Sequence, residues 1–185
     1  MKKSALLIVS AILTLSATSS FADALLLTVD KTPYDRQMAP IRSVLTASAA
    51  SAKGQNNASL AVVNNWMSGL RDIPYAYHLV WKTPSEVESG QPADCKGKAV
   101  ALYRRMAANG ATGVRLVIGK RAPTSRMTHA WLEWETSNGS FVLDPTFNYT
   151  ATRMEKIGKR SYVPLYAYAG SKKFRAASTK LVASN

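Results

Sequence analysis

The sequence predicts an α+β domain in which helices come first and an antiparallel sheet follows. Three observations predict it: apolar residues recur at helical spacing as far as Gly113, they alternate beyond it, and the chain is long enough for one core. The first residues are set apart from that domain. Met1, Lys2 and Lys3 precede an apolar run from Ala5 to Leu15, and Ser20 and Ala22 are the small residues of a cleavable bacterial secretory signal ending at Ala22. Residues 23–169 then read as a single domain, and residues 170–185 as a basic tail expected to be partly disordered. The apolar run is too short to span a roughly 30 Å hydrocarbon layer, and no later one approaches about 20 residues, so no integral membrane segment is expected.

Within the domain, residues 39–52 and 58–70 read as packing helices. Pro40 suits a first helical turn, Asn57 is placed to cap the second helix, and Leu60, Val63, Met67 and Leu70 recur on one face. The stretch 72–92, DIPYAYHLVWKTPSEVESGQP, holds Pro74, Pro84 and Pro92 without a sustained period and reads as an irregular approach. A third helix opens after Asp94, a candidate N-cap, and stops at Gly110. Cys95, Ala99, Leu102 and Met106 share its inward face, whereas Lys96, Lys98, Arg104 and Arg105 lie elsewhere. Strands follow over 114–119, 128–135, 140–144 and 161–169, the last placed at an edge by Pro164, with a basic loop, KRAPTSRM, between the first two.

Charge is distributed unevenly. The chain carries 24 Lys or Arg against 11 Asp or Glu, a net charge of +13, and 16 of the basic residues lie after Asp94 against four acids. Such a field favours anionic partners, among them acidic proteins, cell-wall polymers and lipid headgroups. Nucleic acid is not expected for an exported chain, and nothing in the lysine spacing selects a ligand or an oligomeric state.

The single cysteine is more informative. Exported proteins reside where thiols oxidise, so structural cysteines there come in pairs, and Cys95 has no partner in its own chain. It is left as an inert thiol, an intermolecular disulfide, or a thiolate kept for chemistry. Its position favours the last, because the first turn of a helix presents unpaired N–H groups and partial positive charge to a thiolate and to any oxyanion formed beside it. Gln91, four residues earlier, is a candidate oxyanion donor.

A nucleophile of this kind needs a base, and the chain offers His78 and His129. His78 lies in the proline-containing approach and reads as structural, whereas His129 opens a strand. Ala130, Leu132, Trp134, Phe141 and Leu143 form an apolar face along the two strands joined by TSNGS. His129, Trp131, Glu133, Val142 and Asp144 form the other, a mixed face suited to a site, on which either Asp144 or Glu133 is able to orient the imidazole. A tight turn at Asn138-Gly139 would leave Asp144 roughly 13 Å from His129 along the strand. A four-residue loop from Thr136 to Gly139 instead pairs Glu135 with Ser140 and sets Asp144 opposite Trp131, about 7 Å from His129; this register is the one expected.

WKTPSEVESGQPADCKGKAVALYRRM, GVRLVIG, THAWLEW and FVLDPTF resemble, in that order, the transglutaminase-like cysteine peptidases of bacteria, in the papain-like fold superfamily. The resemblance spans roughly residues 70–168. It implies a cysteine-bearing helix packed on an antiparallel sheet, with Cys95 as nucleophile, His129 as base and then acid, and Asp144 as orienter. Some members of that family process adhesins in the periplasm and depend on calcium held by acids beside the cysteine. Here Asp94 is present but Lys96 and Gly97 follow Cys95, and no cofactor or metal is expected.

Two functions follow as expectations. The first is a periplasmic or secreted cysteine hydrolase that opens an amide bond of a protein or peptide, an anionic one by charge, through an acyl-enzyme; transfer to an amine uses the same residues. The alternative is a non-catalytic binding module on the same fold, its basic half holding an anionic surface polymer or protein.

Overall fold

The structure, a computed structural model, describes residues 26–47, 57–158 and 160–177; the expected secretory signal and the end of the basic tail lie outside the described residues. Seven strands form one antiparallel sheet: β1 (Leu26–Thr28), β2 (Val114–Lys120), β3 (His129–Thr136), β4 (Gly139–Leu143), β5 (Thr152–Arg153), β6 (Val163–Ala169) and β7 (Lys172–Ala176). Their order is β1-β7-β6-β2-β3-β4-β5. Four helices, α1 (Arg42–Ala47), α2 (Leu60–Asp72), α3 (Pro84–Glu88) and α4 (Cys95–Ala108), complete the α+β domain, with α4 lying on β2 and β3 and the others around it.

The central position of α4 alters its expected pattern. An amphipathic stripe was the expectation, yet Gly97 to Tyr103 are buried without a break, because helices cover the sides of α4 that the sheet does not. Lys98, expected away from the core, is 1% exposed, and its ammonium donates to the carbonyls of Arg71 (3.3 Å) and Ile73 (2.5 Å). A cation at the last turn of α2 satisfies orphan carbonyls there, which is why a lysine is tolerated in the core.

Sequence signals place the other helices to within a few residues. Pro40 opens a 3-10 turn, Ala39–Ile41, that leads into α1, and residues 48–56 lie outside the described residues. The cap of α2 is Ser59, which accepts from the Val62 N–H, rather than Asn57. The approach to Cys95 is not wholly irregular: Thr83 and Glu86 form a reciprocal capping box around Pro84 and start α3.

Sheet register determines where the site falls. Glu135 pairs with Ser140 and Leu132 with Leu143, so Asp144 follows directly opposite Trp131 as expected. The connecting turn is shorter than expected: Thr136 pairs with Gly139, and only Ser137 and Asn138 lie between. The same register therefore arises from a two-residue turn displaced by one position from Asn138-Gly139. β6 is not an edge strand, since it lies between β7 and β2; Pro164 falls beside the register shift at Ile118 and Gly119, where a missing N–H is tolerated. Beyond β6 lie β7 and then β1, which forms that edge, so the first part of the expected tail is ordered sheet.

Both faces of the sheet are covered. Ala130, Leu132, Trp134, Phe141 and Leu143 join the main core beneath α4, as their alternation requires. Val117, Trp131, Val142 and Ala167 form a second, smaller core on the other face, under Leu26, Met154, Ile157, Tyr162 and Phe174. That face is therefore mostly a packing surface rather than an open site. A large indole on an uncovered face would expose apolar area worth about 25 cal/mol per Å², which the later chain segments remove from water.

Candidate active site

His129 is the first residue of β3 and Asp144 follows the last of β4, so antiparallel pairing brings both to one end of the sheet. The N-terminus of α4 reaches the same end. Asp94 caps that helix, its carboxylate accepting from the Gly97 N–H at 3.2 Å, which puts Cys95 at the first helical position as its sequence position predicts. Cys95 is a free thiol, 8% exposed, and its side chain lies near enough to the His129 ring to act on the imidazole's pKa.

The other side of the ring is held by Asp144. His129 Nε2 lies 2.8 Å from Asp144 Oδ2, leaving Nδ1 as the ring nitrogen for the sulfur. Burial acts to lower the pKa of His129, but the Asp144 hydrogen bond, the neighbouring Cys95 side chain and both negative charges outweigh it and push the value from 6.5 up to about 9. The imidazole is consequently protonated at neutral pH. Asp144 is fully buried and accepts from three donors: the His129 ring, the Tyr162 hydroxyl at 2.9 Å and the Thr146 N–H at 3.0 Å. Its own carbonyl accepts from the N–H groups of Phe147 and Asn148, a local turn that fixes the strand end ahead of the aromatic segment.

Glu133, the other carboxylate considered for the imidazole, is not its partner. It is paired with Arg115 at 3.1 Å across β2 and β3, and burial pushes its pKa up despite that partner. His78 is structural as expected: its N–H donates to Asp94 Oδ2 at 3.1 Å and its Nε2 lies 3.1 Å from the Pro92 carbonyl. Gln91 is exposed and the structure assigns it no partner.

Three residues of the site carry no obvious signal in the sequence. Tyr162 is 18 residues from Asp144 and adopts a left-handed φ of 53°, unusual for an aromatic residue, while its N–H is held by the Arg121 carbonyl at 2.9 Å. Its ring meets Trp131 edge-on at 5.3 Å, and burial together with the Asp144 charge keeps its phenol above its ordinary pKa, so it remains a donor. Gly119, beside His129 in the ladder, has no room for a side chain: a Cβ there would stand 2.6 Å from the Trp131 ring and 2.2 Å from the Val163 carbonyl. Tyr75 stands near Cys95 and Asp94, and partial burial and their negative charges push its phenol pKa up. A Tyr-containing loop or a strand glycine is common enough that none of the three announces a site.

No family model matches the chain, and no curated protein matches it. Solved structures do. LapG of Legionella pneumophila in its calcium-bound form superimposes with a TM-score of 0.54 over 80% of this chain and 85% of that one, at 13% identity. The EGTA-treated form of the same protein gives 0.53 over 83% and 86%, at 14% identity. At this identity the likeness concerns fold, and the chain has the helix-on-antiparallel-sheet architecture of the papain-like, transglutaminase-like α+β class.

Proposed function

We propose that this protein is an exported cysteine hydrolase that opens an amide bond, in the first instance a peptide bond, using Cys95, His129 and Asp144. One observation carries the reading: a single buried imidazole, held by a carboxylate, lies beside the only thiol in the chain, and that thiol stands at a helix N-terminus. With its proton on the ring, Cys95 attacks the carbonyl carbon, and the developing oxyanion is met by the free N–H groups of the first turn of α4. His129 Nδ1 then gives its proton to the leaving amine, and the acyl group stays on sulfur. Water enters, His129 takes its proton, and the acid product departs with the sulfur restored. Asp144 holds the ring in position and stabilises its charged form throughout.

The surroundings support a polypeptide substrate. Exposed apolar side chains lie on the three segments leading to or from the three residues: Tyr75, Tyr77 and Leu79 ahead of Cys95, Met127 ahead of His129, and Phe147 after Asp144. Phe147 is 5.3 Å from the His129 ring and carries the Arg121 guanidinium over its face at 4.2 Å. An apolar rim with a basic border fits an extended peptide with apolar side chains and acidic neighbours. The signal read at residues 1–22 supports a place in the periplasm or beyond.

Thiol reactivity tests the proposal. Iodoacetamide is expected to label Cys95 in the native protein at pH 6 to 7, and His129→Ala to slow labelling by about tenfold or more. Labelling confined to denatured protein would sink the hydrolase reading.

A further inference from the structure

We propose that the ammonium of Lys96 is a built-in cation that does, at the start of α4, what a bound metal ion would do, and that this protein is therefore indifferent to calcium. This inference rests on the hydrolase reading only for its effect on turnover. Lys96 Nζ forms a charge-paired hydrogen bond with Asp94 Oδ2, donates to the His78 carbonyl at 2.8 Å, and lies 4.8 Å from the centre of the Tyr77 ring. One cation thus joins the helix cap next to the nucleophile to the segment that carries Tyr75, Tyr77 and Leu79. Bridging a buried carboxylate to a loop carbonyl is the task a divalent ion performs with hard oxygen ligands.

Calcium itself does not fit there. It requires six to eight oxygens at about 2.3–2.6 Å. The corner supplies one carboxylate and one loop carbonyl, and both carboxylate oxygens are taken, Oδ1 by the Gly97 N–H and Oδ2 by the His78 N–H and Lys96. A resident ammonium also repels a second cation. Among the described residues no group of three or more His, Cys, Asp or Glu side chains is placed to hold a metal. The fold shared with a protein solved in calcium-bound and EGTA-treated forms is therefore combined here with a covalently attached cation.

Lys96 is a positioning residue on this reading, since it touches the segment walling the site and not the reacting atoms. Thermal unfolding of the full mature chain should give the same Tm in EGTA and in millimolar calcium; stabilisation of the wild type by calcium overturns the proposal, because any ligand that binds the native state raises Tm by mass action. Lys96→Met leaves Asp94 a buried charge without its partner, and Tm should fall by on the order of 5 °C or more. In a Cys95→Ala background, where self-cleavage is absent, Lys96→Met should let chymotrypsin cut between residues 75 and 79 about fivefold faster. With Cys95 restored, Lys96→Met should raise KM more than it lowers kcat. Unchanged proteolysis and Tm in Lys96→Met overturn the proposal, and if that variant does not fold, the calcium and EGTA comparison on the wild type still decides. Failure of the hydrolase reading is distinguishable, for it would show as a Cys95 thiol that iodoacetamide reaches only in denatured protein while the calcium and proteolysis results stand.

Discussion

Two buried carboxylates flank the sulfur, and they are built alike. Asp94 and Asp144 are 2% and 0% exposed, each accepts three hydrogen bonds, and each faces a single cationic side chain. They differ in the chemistry of that cation. Asp94 meets a lysine ammonium and a helix N-terminus, and so forms a clamp between α4 and the preceding segment. Asp144 meets an imidazole that releases its proton only in mild alkali, near pH 9, and lies beside the sulfur. Burying a carboxylate has a similar solvation cost in both places, so the partner decides whether the result is a permanently charged fastener or a pair that titrates.

The largest expected effect separates the two corners by activity. Asp144→Asn keeps the shape but leaves the imidazole without a charged orienter, and kcat should fall by about 10³-fold or more while the protein still folds. Asp94→Asn should show the reverse ratio, a stability loss on the order of 3 kcal/mol in denaturant titrations against less than about a tenfold change in kcat. Equal losses of activity and stability in both variants would remove the distinction.

A pH scan sharpens it further. His129 is raised in the folded protein from 6.5 to about 9, so its contribution to stability is complete below 6.5 and disappears as pH rises through about 9. Wild-type stability should therefore decline from pH 7 to 10 by on the order of 3 kcal/mol, the slope being absent in His129→Gln and retained in Lys96→Met. The smallest effect concerns the support of Asp144. Tyr162→Phe removes one of its three donors and should lower kcat by about fivefold, near 1 kcal/mol, with KM unchanged; an unaltered kcat would assign Tyr162 to packing against Trp131 alone.

What was legible in the sequence is what neighbouring residues settle among themselves. The helix start at Asp94 and Cys95, the alternation of β3 and β4 and the pairing that brings Asp144 opposite Trp131 all depend on caps and period within a few positions. A capping box at Thr83 and Glu86 was equally local, but the surrounding prolines concealed it. The turn joining β3 and β4 was misjudged by two residues in length without changing the register, because inward and outward alternation constrains pairing more strongly than turn type does.

By itself, then, the sequence determined the fold class, the helix that presents the sulfur, and the order in which sulfur, ring and carboxylate occur. Only the tertiary structure decided which carboxylate takes which cation, that Tyr162 reaches Asp144 across 18 residues, that Lys98 is enclosed among helices, and that the second face of the sheet is core. The physical reason is range. Capping and periodicity act over one turn of chain, whereas the partners of a buried charge are selected by desolvation, which is settled only when distant segments close over it.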